Sequence, residues 1–154
     1  MYLVDTNVVS AAAPTQAAVA PDLVAWMDRN SAHLYLSVIT VAEIEAGIAK
    51  SRRQGAHRKA ERLAEWLAAL LHLYGARVLP IDLDVAWYLG CLTDRARGQG
   101  LTPDLADLAI AATAQSRKWS VLTRNLRHFS PLGVPAHDPF AALPPDATSR
   151  PLEP

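Results

Sequence analysis

Hydrophobic and polar positions alternate in blocks along this chain, and the blocks change period. "YLV" near the N-terminus, "HLYLSV", "RVLPI" and "SVLT" are short, continuous apolar runs of strand length. Between them stand longer segments with helical spacing: "PDLVAWMDRN", "TVAEIEAGIAK", "HRKAERLAEWLAALLHLYG", "DVAWYLGCLTDRAR" and "TPDLADLAIAATAQSRK". In the third of these, Ala60, Leu63, Ala64, Leu67, Leu70, Leu71 and Tyr74 recur at i, i+3, i+4 and i+7, and Gly75 ends the run. The pattern predicts helix starts at Thr40, with a capping box to Glu43, at Asp84, and at Thr102 with Pro103 in the first position. Strands that are apolar throughout and alternate with helices predict a parallel sheet covered on both faces, an α/β sandwich. One further short edge strand is expected near "VPAHDP". Residues 1–143 form one expected domain, and the Pro-rich segment 144–154 is expected to be a disordered tail.

In such a sheet, ligand sites gather at the carboxyl ends of the strands. Two polar groups stand there, Asp5 after the first strand and Asn125 after "VLT". Asp107 is out of place in a different way. Its helix is apolar nearly all round, with Ile110, Ala111 and Ala114 on one stripe and Leu105, Leu108, Ala109 and Ala112 on the other. Such a helix is buried, so Asp107 is expected to point inward; backbone hydrogen bonds alone could hold it there. Glu43 follows the second strand directly, at the same rim, and competes with its capping-box reading. Asp104 lies one turn before Asp107, where an acid also complements the helix dipole.

Composition narrows the chemistry. Lys plus Arg and Asp plus Glu are 15 each, so formal net charge is zero and attraction to a polyanion must be local. The single cysteine, Cys91, excludes an internal disulfide and a thiolate metal cage, and suits a reducing cytoplasm. No apolar run approaches the roughly 18 residues of a membrane span, and the N-terminus lacks a signal-peptide pattern. Carboxylates crowded at one rim repel, and either protonation or a divalent cation relieves them. Hard oxygen donors without paired histidines point to Mg²⁺ or Mn²⁺, hence to phosphate chemistry.

"YLVDTNVVS", "LSVITVAEIEAGI", "DLAIAATA", "VLTRNLRHF" and "HDPF" stand in the order and at about the spacing of VapC-like PIN-domain ribonucleases, which the chain resembles from Met1 to about Phe140. These are the toxin halves of type II toxin–antitoxin pairs. The resemblance implies a PIN-domain three-layer α/β/α sandwich with a mainly parallel sheet. It also implies Mg²⁺-dependent endoribonuclease activity in which Mn²⁺ can substitute, a cognate VapB-like antitoxin, and a homodimer. The family's acids fall on Asp5, Glu43 and Asp107 as catalytic and metal-holding residues, with Asp104 as a further candidate. The fourth falls on Asn125, a neutral departure. Thr6, Asn7 and Thr123 look like groups that orient the acids.

Arg124 and Arg127 flank the expected rim, and Arg52 and Arg53 belong to the basic run "KSRRQGAHRKAER"; all four are candidate RNA contacts. His128 could act as an acid, but before Phe129 it reads as structural. Trp66 and Leu73 lie off the core stripe of their helix and are candidate interface residues. Two rivals stand beside this reading. One is a PIN domain that binds RNA or a partner without cutting. The other is a haloacid-dehalogenase-type phosphatase, disfavoured because Asn7 replaces the second Asp of that motif.

Overall fold

The computed structural model describes residues 1–15 and 21–146. Five strands form one sheet: β1 (Tyr2–Val4), β2 (Leu34–Ser37), β3 (Val78–Leu79), β4 (Ser120–Leu122) and β5 (Ala136–His137). Their order is β3-β2-β1-β4-β5, and every pairing is parallel. The helices are α1 (Thr6–Val9), α2 (Pro21–Arg29), α3 (Val38–Arg53), α4 (His57–Tyr74), α5 (Leu83–Gly98), α6 (Leu105–Ser116) and α7 (Leu126–Phe129).

The strand period of two sends neighbouring side chains to opposite faces and creates two cores. Leu3, Tyr35 and Val121 pack with α5, α6 and Phe129 on one side. Val4, Leu34, Leu36 and Leu122 pack with α1 to α4 on the other, around the fully buried Trp26. The result is the expected three-layer sandwich. β1 is central, and its neighbours β2 and β4 lead to opposite halves of the sheet, so the crevice for a ligand opens beyond the carboxyl end of β1.

Helix starts differ from the sequence expectation at three places. α3 begins at Val38, and its cap is Ser37, whose hydroxyl accepts from the Ile39 amide at 3.2 Å. Thr40 is therefore already inside the helix, fully buried, and its hydroxyl has no hydrogen-bond partner among the described residues. No capping box forms, and Glu43 is free of that duty. α5 is capped by Asp82 rather than Asp84, with Asp82 accepting from the Val85 amide at 2.9 Å. α6 is capped by Asp104 rather than Thr102, with Asp104 Oδ1 accepting from the Asp107 amide at 2.8 Å. An Asp side chain reaches the third amide with a full charge facing the helix dipole, which is why it wins over Thr102.

The expectation of a helix buried all round holds for 107–114, where every residue is buried, but not for Leu105, which is 69% exposed in the first turn. At the other end of the chain, Pro145 and Asp146 were expected in a disordered tail. They accept hydrogen bonds from Tyr2 at 3.3 Å and Asn30 at 2.8 Å. The remainder of that tail, 147–154, lies outside the described residues.

Candidate functional site: an acidic rim at the carboxyl edge of the sheet

Register brings the first two groups together. Leu3 pairs with Val121 and Val4 with Leu122, so the next residues, Asp5 and Thr123, are neighbours at the strand ends. The Asp5 amide donates to Leu122 O at 2.9 Å and continues the ladder. Asp5 is 3% exposed, and its carboxylate accepts from three donors. These are the Thr6 amide on Oδ1 at 2.6 Å, and Asn7 Nδ2 and Thr123 Oγ1 on Oδ2 at 2.6 Å each. Asn7 Nδ2 also donates to Thr123 Oγ1 at 3.1 Å, and Asn7 Oδ1 accepts from the Arg124 amide at 3.1 Å. Thr6, Asn7 and Thr123 thus all donate hydrogen bonds to the Asp5 carboxylate.

Glu43 reaches the rim from the second turn of α3 and accepts from Thr6 Oγ1 at 2.5 Å. Asp107 comes from the first turn of α6, is 8% exposed, and its Oδ2 lies 2.5 Å from His128 Nδ1. All three acids hold their protons more tightly than usual. Burial lifts Asp5 against the pull of its hydrogen bonds, and the Asp107 charge adds to the rise. Loss of solvent raises Glu43, with repulsion from Asp5, Asp104 and Asp107 acting in the same direction. Burial raises Asp107, opposed by the hydrogen bond to His128 and reinforced by Asp104. Asp5, Glu43 and Asp107, from three distant stretches of chain, therefore share one electrostatic site. Asp104 stands beside them as an exposed helix cap with one oxygen already used.

The other expected residues divide. Asn125 is at the rim, where its amide donates to Thr123 Oγ1 at 2.9 Å, but its side chain makes no hydrogen bond among the described residues. The Arg124 guanidinium lies over the Phe140 ring at 4.7 Å. Arg127 lines an open cavity of about 360 Å³ with Leu101, Pro103, Asp104, Asp107 and His128. A second cavity of about 360 Å³ opens on the Glu43 side, lined by Thr6, Gly47, Lys50, Lys59 and Trp66 among others. Arg52 and Arg53 are exposed in the last turn of α3 and line neither cavity.

Trp66 is half-buried against the α1–α4 core rather than left over from it, because the cavity wall gives it a partly apolar bed. Leu73 is 64% exposed, as its off-stripe position implies. The chain's most exposed tryptophan is Trp87, at 65%, one turn after Leu83 at 86%. Sequence reasoning passed over that pair, although the i, i+4 spacing on a helix with a separate buried stripe was there to read. It also set His128 aside; no local signal announces a contact with an acid 21 positions earlier.

Among the described residues, no group of three or more His, Cys, Asp and Glu side chains is preassembled as a metal cage. The donor set nonetheless fits a hard divalent cation, because buried carboxylates whose proton affinity is raised by burial and by neighbouring acids are the groups such a charge relieves. Mg²⁺ commonly takes only one or two carboxylates and fills the rest of its shell with water, so a closed cage is not required.

Fold and site together define an α/β sandwich whose working edge is a carboxylate-lined rim. The chain belongs to the PIN-domain family, in its VapC-like branch: the family profile described as "PIN domain" matches residues 2–132. The chain is 36% identical over 148 residues to a protein named VapC ribonuclease Y4jK from Sinorhizobium fredii, covering 91% of this chain and 98% of that one. It is 32% identical over 145 residues to a protein named toxin FitB from Neisseria gonorrhoeae, covering 91% and 99%. A crystal structure titled FitAcB from Neisseria gonorrhoeae superposes with a TM-score of 0.76 at 34% identity, covering 91% of this chain and 99% of that one.

Proposed function

We propose that this chain is a divalent-metal-dependent endoribonuclease and the toxin of a toxin–antitoxin pair. The observation that carries the proposal is the convergence of the buried Asp5 and Asp107 and the exposed Glu43 on one rim, where the Asp107 charge raises Asp5 and both charges raise Glu43. The relatives named as a VapC ribonuclease and as a toxin support the choice of substrate and biological setting.

In this reading Asp5 and Asp107 hold Mg²⁺, or Mn²⁺ in its place. When bound, the cation supplies Lewis-acid stabilisation of charge developing on the phosphate oxygens. Thr123, Asn7 and the Thr6 amide keep Asp5 ionised and fixed in orientation. Glu43, steadied by Thr6, accepts a proton from the water that attacks phosphorus; its raised proton affinity brings it closer to the range a general base needs. Arg124 and Arg127 bind flanking phosphates, whereas the place of Arg52 and Arg53 leaves them at most a distant electrostatic part. Asn125 adds no charge and positions the strand end through its backbone.

The antitoxin blocks the enzyme by covering the cavity beside Glu43, where Trp66 offers an apolar wall and Lys50 and Lys59 offer charge. The enzyme acts in the cytoplasm as a homodimer, for which Leu83 and Trp87 provide an exposed apolar surface. No helix among the described residues is long and apolar enough to cross a membrane.

The deciding experiment incubates purified wild type and Asp107→Asn with RNA, with Mg²⁺ and with chelator. Cleavage by wild type alone, and only with metal, is the expected result. Absence of cleavage with intact RNA binding would favour the binding-only alternative.

A further inference from the structure

We propose that His128 is a positioning residue that ties the metal-holding carboxylate of Asp107 to a phosphate-binding guanidinium on Arg127. The chemistry of this link rests on the nuclease reading above; its geometry stands on contacts in the fold. His128 Nδ1 lies 2.5 Å from Asp107 Oδ2, and Arg127 Nε donates to His128 Nε2 at 3.2 Å. A guanidinium has donors and no acceptor, so Nε2 supplies the lone pair and carries no proton. The ring proton therefore sits on Nδ1 and is donated to Asp107. A single neutral tautomer satisfies both partners.

The link leaves useful atoms over at both ends. Asp107 has Oδ2 engaged, while Oδ1 has no hydrogen-bond partner among the described residues. Arg127 is held through Nε, and its two terminal nitrogens make no hydrogen bond there. Both side chains, with His128 between them, line the same open cavity. A carboxylate oxygen for the cation and a guanidinium fork for a phosphate are thereby held at a set distance by one ring. Histidine–carboxylate partners of this kind orient metal ligands, and losing one typically lowers metal affinity 10–100-fold. A purely structural His128 would fasten α7 to α6 and do nothing else.

The test separates these roles with metal binding measured without RNA. Mn²⁺ affinity is determined by calorimetry for wild type, His128→Ala, His128→Asn and Arg127→Ala, alongside thermal melting. Imidazole ¹⁵N shifts of the metal-free wild type report the tautomer. The expected results are an Nδ1-protonated neutral ring and a roughly 10–100-fold loss of Mn²⁺ affinity in His128→Ala. His128→Asn, whose amide can donate from the Nδ1 position, restores most of that affinity. With an RNA oligonucleotide, His128→Asn and Arg127→Ala both raise KM, and Arg127→Ala leaves Mn²⁺ affinity unchanged. An Nε2-protonated ring, or wild-type Mn²⁺ affinity in a folded His128→Ala, overturns the proposal. If wild type binds Mn²⁺ and shows the expected tautomer but cuts no RNA, the nuclease reading fails while the link to Asp107 stands.

Discussion

Thr123→Val removes one oxygen atom and keeps the shape of the side chain, which makes it a clean probe of how the fold tolerates Asp5. Thr123 is fully buried, and its hydroxyl serves three partners. It donates to Asp5 Oδ2 at 2.6 Å and accepts from Asn7 Nδ2 at 3.1 Å and the Asn125 amide at 2.9 Å. The bond to Asp5 is charge-assisted and worth about 1.5–3 kcal/mol. Asn7 still has Asp5, and the half-buried Asn125 amide can find water, so these two losses add only about 0.5–1 kcal/mol together. The new methyl group returns somewhat under about 0.8 kcal/mol of burial. A net loss of about 2–3 kcal/mol follows, which at ~2–4 °C per kcal/mol for a chain of this size lowers Tm by about 4–12 °C.

The pH dependence of this loss carries the argument further. The Thr123 hydrogen bond is the first of the forces holding the Asp5 proton affinity down against burial. Without it, the folded carboxyl rises further above its unfolded value. A raised acid favours the folded state in acid and loses that contribution as pH rises through the folded value. The variant should therefore fall further behind wild type at about pH 8 than at about pH 5 in metal-free buffer. Thermal denaturation in chelator at both pH values is the assay. A loss under about 0.5 kcal/mol, or an equal loss at both pH values, would refute the claim that Thr123 keeps a buried Asp5 ionised.

Other perturbations probe the rest of the rim. Asp107→Asn should abolish RNA cleavage, a loss of at least ~10²-fold, while making the metal-free protein no less stable, since it removes a buried charge among like charges; cleavage at the wild-type rate would sink the site. Metal-free wild type should lose stability as pH rises from about 4 through the raised carboxyl values of Asp5, Glu43 and Asp107, and saturating Mg²⁺ should flatten that slope in thermal melts. Glu43→Ala should collapse activity with a stability change under about 0.5 kcal/mol, because no capping box exists to lose; a large drop in Tm with normal activity would reverse that view. Trp87→Lys should convert a dimer to a monomer in sedimentation, whereas Trp66→Ala should lower Tm and weaken antitoxin inhibition; a Trp87→Lys protein that still dimerises would place the self-contact elsewhere.

What could be read from the sequence was set by periodicity. The strands are short and apolar throughout, and only a sheet covered on both faces makes use of that, so the two cores follow. Asp107 was legible because, Asp104 apart, its neighbours around the helix are apolar. The helix starts were not, because each junction offers two good caps within three residues: Ser37 and Thr40, Asp82 and Asp84, Thr102 and Asp104. Which one serves depends on where the preceding strand or loop releases the chain, and that is tertiary information. At Ser37 the strand ends one residue before Val38, a β-branched residue that reads as its continuation. The half-burial of Trp66 was not legible for a related reason. A helix stripe counts which residues face inward on average, but residues of α3 and α4 line a cavity whose wall a side chain off the stripe can join.

The placement of the acids is a consequence of register more than of any local motif. Asp5 sits one residue beyond β1 and Thr123 one beyond β4, and their contact exists because Val4 faces Leu122. A strand slipped by one residue would turn its side chains to the other face and break that contact. The two-residue strand β5 guards the register from outside. Thr123 donates its amide to His137 O at 2.9 Å, and Val121 donates to Pro135 O at 2.8 Å, so the β4 end is clamped on its free edge. On the other side, Asp5 caps α1 through the Thr6 amide, and Thr6 in turn holds Glu43. Asp5 is therefore the joint between a sheet ladder, a helix start and a second acid. A buried carboxylate here costs stability, and the fold tolerates it by giving the same side chain structural partners on three sides. That arrangement explains why "DTN" places three polar residues in a row: the Thr6 amide and Asn7 Nδ2 both bind Asp5, and the Thr6 hydroxyl binds Glu43.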